Sequence, residues 1–207
     1  MWVLFDLNGT LTDPGVLLDP PELGVAALDE ANMMAMITVI DGRQVEFKTL
    51  LEAALRRGLE RLGRDPGEAD AAMGRVSQMP AFEDVPGALE SLQGFDLAVL
   101  TQSSVEAAEA VLENAGIRGH FKHVLSSTAA NTFKPEDLAY NYALETIGAT
   151  EAWFVAGHWW DIAGAAYAGL KTAWVSRTDL AYPGAMPAPD VTGADVRAVA
   201  EAILKRA

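Results

Sequence analysis

Four short runs of continuous apolar, β-prone residues constrain this chain most: "WVLF" (2–5), "LAVL" (97–100), "AWFVA" (152–156) and "TAWVS" (172–176). A fifth, "HVLS" (123–126), is weaker. A strand with one wet face alternates apolar and polar residues. These runs do not alternate, so they suit strands covered on both faces, as in a parallel sheet. Helical patterns lie between them. "SSVEAAEAVLENAG" (103–116) opens with a capping box, Ser103 to Glu106, and closes on Gly116. "PEDLAYNYALETIG" (135–148) has proline at its start and glycine at its end, and "DIAGAAYAG" (161–169) also stops at glycine. Thr192 to Asp195 supply a cap for a last helix running to about Arg206. Strands alternating with helices predict an α/β fold, a doubly wound, Rossmann-like parallel sheet.

Pro14 to Pro80 breaks the alternation. No strand pattern occurs there, whereas Phe47, Leu50, Leu51, Leu55, Leu59 and Leu62 fall at helical spacing, and "LGVAALDEANMMAMITVI" (23–40) is helical in composition. The expected organisation is a Rossmann-like core from residues 1–13 and 81–207, with residues 14–80 inserted after the first strand as a helical cap, or lid.

Composition narrows the partners. Fifteen basic and 29 acidic residues give a net charge of −14, a surface that repels phosphate backbones and anionic lipid. Neither nucleic acid nor membrane is expected, and a small-molecule substrate is. There is no cysteine, hence no thiolate nucleophile or cysteine zinc site, and the three histidines show no metal-ligand spacing. No signal sequence is recognised and no apolar run is counted long enough to span a bilayer, so the expected location is cytoplasmic. Met33, Met34 and Met36 give the lid an apolar face suited to a homodimer.

Polar residues gather where the apolar runs end. Asp6 follows the first run and precedes the turn Asn8-Gly9-Thr10; Thr101-Gln102-Ser103-Ser104 follows the second. Lys134 stands just before a proline, and "GHWWD" (157–161) follows "AWFVA". In open α/β sheets, ligands bind beyond the carboxyl ends of the strands. Amides of residues 7 to 10 are expected to form an anion-binding nest.

In this order, Asp6-Leu7-Asn8-Gly9-Thr10, Leu100-Thr101-Gln102-Ser103, Lys134-Pro135 and Gly157-His158-Trp159-Trp160-Asp161 resemble the four motifs of the haloacid dehalogenase superfamily. Residues 14–80 stand in the place of its helical cap. "FVAGHWWDIAGAAYAGLKTAWVSR", and Tyr140 six residues beyond Lys134, are most similar to the type II (S)-2-haloacid dehalogenases.

Most of that superfamily are magnesium phosphatases with an Asp-x-Asp signature, whose second aspartate protonates the leaving alkoxide. Asn8 occupies that second position and has no acid proton to give, a loss of about 10²–10⁴-fold in such chemistry. Halide leaves as a stable anion and needs none. The resemblance therefore implies Asp6 as a nucleophile that displaces halide from a 2-substituted acid, forming an aspartyl ester that water hydrolyses. It further implies that Lys134 keeps Asp6 ionised, Asp161 holds Lys134 and orients water, and Thr10 steadies the loop. Asn8, Thr101, Gln102, Tyr140, His158 and Trp160 would contact substrate, with no metal and no cofactor. The pocket departs from the best-known dehalogenases. Tyrosine stands there where this chain has Asn8, asparagine where it has Gln102, and Ser-Ser-Asn where it has Ala156-Gly157-His158. The arginine those enzymes carry near the start of the cap is missing, Arg43 lying further along. Two alternatives stay open: a Mg2+-dependent phosphatase with Asp6 and Asp161 as ligands, and a catalytically silent binding protein of this fold.

Overall fold

The computed structural model describes residues 1–206. Six strands form one parallel sheet: β1 (Trp2–Phe5), β2 (Asp96–Thr101), β3 (His123–Ser126), β4 (Ala152–Ala156), β5 (Lys171–Val175) and β6 (Val191–Gly193), in the order β3-β2-β1-β4-β5-β6. The five apolar runs are the first five strands. The sixth, three residues long, has no pattern to betray it.

The sheet is covered on both faces, as continuous apolarity requires. Val3 and Phe5 point to one side, packing with Val99 and with residues of α4 (Val85–Ser91), α5 (Val105–Asn114) and α8 (Val196–Leu204). Leu4 points to the other, with Leu100 and Phe154, against α6 (Asp137–Ile147) and α7 (Trp159–Tyr167). Phe5 pairs with Val99 on one neighbour and Val155 on the other. Asp6, just beyond β1, is therefore level with Leu100 and Ala156 on its two neighbours, with Thr101 one residue further along. The strand order reverses between β1 and β4, the place where such sheets open a crevice.

Two helix starts differ from expectation. Ser104, not Ser103, caps α5, its hydroxyl accepting from the Ala107 amide at 3.2 Å. The Ser103 amide is drawn instead to the Thr101 hydroxyl, also at 3.2 Å, which moves the helix start one residue on. The helix α7 begins at Trp159, so Asp161 sits inside its first turn rather than at its cap. Asp195 caps α8, accepting from the Ala198 amide.

Between β1 and α4 the chain is helical: a 3-10 turn at Pro14–Leu17, then α1 (Pro21–Ile40), α2 (Phe47–Arg61), α3 (Glu68–Arg75) and a further 3-10 turn at Val76–Gln78. Their apolar faces form a separate cluster that takes in Phe133, from the connection between β3 and α6. The segment leaves and rejoins at one point. The Asp13 amide donates to the Pro80 carbonyl at 2.9 Å and the Phe82 amide to the Leu11 carbonyl at 3.0 Å. The 20-residue α1, holding an 18-residue window with a mean hydropathy of 1.5, is long and apolar enough to cross a membrane, which corrects the expectation that no run reaches that length. Asp29 and Glu30 interrupt the run and hid its length. Here α1 buries Ala27, Leu28, Ala31, Asn32 and Ala35, and Glu30 pairs with Arg57 of α2.

Candidate active site

Lys134 lies between two carboxylates. Its ammonium is 2.7 Å from Asp6 Oδ1, 2.6 Å from Asp161 Oδ2 and 3.0 Å from the Leu100 carbonyl, with no exposed surface. The other oxygen of Asp161 accepts from the Tyr140 hydroxyl at 2.6 Å. The other oxygen of Asp6 accepts from Thr10 Oγ1 at 2.6 Å, and Thr10 in turn accepts from the Gly157 amide at 2.9 Å. Thr10 thus ties the loop after β1 to the loop after β4. Each group comes from the connection after a strand or from the helix that follows it, and together they form a single chain of charge-assisted contacts.

Burial pushes the Asp6 carboxyl up. The charge of Lys134, with the hydrogen bonds from Lys134 and Thr10, outweighs it and holds Asp6 below the usual carboxylate range. Burial would lower Lys134, but Asp161 and Asp6 raise it above the ordinary lysine value. Burial and then the neighbouring charge of Asp161 push Tyr140 far up, so its phenol stays a proton donor. Asp6 is consequently an ionised carboxylate at neutral pH, pinned at both oxygens.

In front of Asp6 lies a cavity of 10 Å³, room for about one water molecule. Asn8, Thr101, Gln102, His158 and Trp160 line it. Tyr140 does not. It is wholly buried with its hydroxyl on Asp161, so it supports that carboxylate instead of reaching substrate. Asp161, Lys134 and Thr10 stand behind Asp6, away from the lining. The expected anion nest is partly spent. The Gly9 amide donates to the Thr12 carbonyl and the Thr10 amide to the Leu7 carbonyl. Asn8 also turns inward, donating to the Ser103 hydroxyl at 3.4 Å and accepting from Thr12 at 3.3 Å.

The far wall comes from α1 and α2, through Leu28, Asn32 and Phe47. Asn32 accepts from the Gln102 amide at 2.7 Å. Asp29 Oδ1 lies 3.6 Å from His158 Nε2. Sequence reasoning missed these α1 residues, although an asparagine on the buried stripe of Leu28, Ala31 and Ala35 was a usable signal. Arg43 does not stand in for a cap arginine here. It is exposed, pairs with Asp41 and lines an outer groove of 630 Å³ that meets the inner cavity at Phe47 and Gln102.

The site suits a resident divalent cation poorly. Among the described residues no group of three His, Cys, Asp or Glu side chains converges to hold one. The two candidate carboxylates, Asp6 and Asp161, are already bridged by the Lys134 ammonium.

Comparison with known proteins supplies the family. Residues 1–169 match the family model of the haloacid dehalogenase-like hydrolases. The chain is 29% identical to an (S)-2-haloacid dehalogenase of Pseudomonas sp. (strain YL), over 96% of this chain and 92% of that one. It is 28% identical to haloacetate dehalogenase H-2 of Moraxella sp. (strain B), over 92% of each. Its fold superposes, with a TM-score of 0.89 and 22% identity, on the L-2-haloacid dehalogenase of Xanthobacter autotrophicus carrying covalently bound chloropropionic acid, covering 100% of this chain and 99% of that one. With more than half its length matched, this chain belongs to the haloacid dehalogenase-like hydrolases.

Proposed function

We propose that this enzyme hydrolyses a small 2-substituted carboxylic acid, with Asp6 displacing halide or a similar leaving group. An Asp6 oxygen attacks C2 of the substrate, and the carbon–halogen bond breaks with its electron pair leaving as halide. The product of this half is an alkyl ester on the Asp6 side chain, which water hydrolyses to a 2-hydroxy acid. Lys134 keeps the attacking carboxylate ionised and Thr10 aims it. Thr101, Gln102, Asn8 and Trp160 meet the substrate. Residues 14–80 act as a lid that opens to admit substrate to a cavity now too small for it. No metal or cofactor enters the scheme.

One observation carries the reading: a carboxylate held ionised by a buried lysine stands at the cavity wall, with Asn8 where a phosphatase would need an acid. Purified protein given (S)-2-chloropropionate, and separately an aryl phosphate, each with magnesium or with EDTA, tests it. Halide release that survives EDTA and vanishes in Asp6→Asn is the expected result. Phosphate release abolished by EDTA would overturn it in favour of a phosphatase.

A further inference from the structure

Halide needs no proton to depart, but the second half of the reaction does not share that freedom. Hydrolysis of an aspartyl ester expels an alkoxide, so a group beside the ester must first take a proton from water and then return one. Asp161 is badly placed for this. Its oxygens are taken by Lys134 and Tyr140, it has no exposed surface, and it does not line the cavity.

His158 meets every requirement. It lines the same cavity as Asp6 and is only 3% exposed, and neither ring nitrogen has a hydrogen-bond partner among the described residues. The ring is held in place. Trp160 packs edge to face at 5.4 Å, and Gly9 leaves the space that the ring fills, since a Cβ there would lie 2.6 Å from His158 Cε1. Asp29 approaches Nε2 from α1 at 3.6 Å. The charged groups near the ring are Asp6 at the end of β1, Asp29 on α1 and, beyond Asp29, Asp179 in the loop after β5.

We propose that His158, oriented by Asp29, is the general base and then the general acid of ester hydrolysis, an inference that rests on the ester-forming reading above. A water molecule gives a proton to the free imidazole nitrogen as its oxygen bonds to the Asp6 carboxyl carbon. The tetrahedral adduct collapses, and the bond from that carbon to the substrate-derived oxygen breaks. The alkoxide takes the proton back from the imidazolium and leaves as the 2-hydroxy acid. Asp6 then loses its acid proton to solvent and is ionised again beside Lys134. His158 is the catalytic residue here. Asp29 is a positioning residue, and because it belongs to α1 the couple is complete only when that helix lies over the site.

Rapid mixing of wild type and His158→Gln with (S)-2-chloropropionate tests the proposal, following halide release and the intact mass of the protein. The variant is expected to release about one equivalent of halide and stop, carrying the substrate's acid group on the peptide that contains Asp6. Loss of that adduct should be slower by about 10²–10⁴-fold. Asp29→Asn, at a half-exposed site that tolerates change, should also accumulate adduct, and Asp29→Glu should restore hydrolysis in part. Steady turnover by His158→Gln at the wild-type rate, without adduct, overturns the base role alone. A folded His158→Gln variant that forms no adduct assigns the histidine to the first step and also overturns the proposal. A wild type that releases no halide from any small 2-haloacid overturns the ester reading, and the base role with it.

Discussion

The ammonium of Lys134 touches the Asp161 carboxylate at 2.6 Å, and neither side chain keeps any contact with solvent. With Asp6 on the other side, two negative groups and one positive group are enclosed together. Removing the cation would leave uncompensated buried charge, which costs far more than an exposed ion pair contributes.

Lys134→Met should therefore abolish turnover and lower stability by about 3–5 kcal/mol. Denaturant titration measures the stability and halide release the activity. A variant as stable as wild type would mean that the carboxylates find another partner.

The same groups set a pH dependence with a definite sign. Lys134 is raised on folding, so its contribution is fully present below the ordinary lysine value, about 10.4, and is lost as pH rises through the higher folded value. Asp6 is lowered on folding, so its contribution is present above the ordinary carboxylate range and lost as pH falls through the folded value. Asp161, which burial pushes up, opposes Asp6 on the acid side. The stability gap between wild type and Lys134→Met should stay level through neutral pH and narrow above about pH 10.4, as measured by thermal melts across pH.

Gly9→Ala should damage both fold and chemistry. Gly9 sits at φ +83°, a region that costs other residues about 1–2 kcal/mol. The added carbon would also press on the His158 ring. A lower melting temperature together with accumulation of the aspartyl ester is expected.

Asn32→Leu would strand the Gln102 amide, which is buried and bonds to Asn32 across the gap between α1 and the end of β2. Leaving a buried donor unpaired costs about 1–3 kcal/mol. Hydrogen exchange should quicken in α1 while the amides of β1, β2 and β4 keep their protection. Replacing Gln102 with leucine as well should recover part of the loss.

Much of this architecture could be read from residue order. Unbroken apolar runs announced the first five strands because each is buried on both faces. Val191-Thr192-Gly193 is too short for any period, and the sixth strand passed unnoticed. Adjacent serines, Ser103 and Ser104, made the start of α5 ambiguous by one residue, and only the Thr101 hydroxyl decides between them. The meeting of Lys134, Asp6 and Asp161 was expected from the resemblance of their motifs, in the connections after β1, β3 and β4. The contacts made by Asp29 and Asn32 did not, since their partners lie far along the chain and depend on how α1 tilts over the sheet. Tyr140 was noticed by its spacing from Lys134, yet spacing alone could not say that its hydroxyl would serve a neighbouring acid.

Because the helical segment departs at Asp13 and returns at Pro80 through facing backbone groups, its two ends are practically in contact. Such a junction is a natural splice point. A different helical cassette could be grafted between those two residues without rerouting any strand, so the wall over the cavity can be exchanged while Asp6 and Lys134 stay where they are.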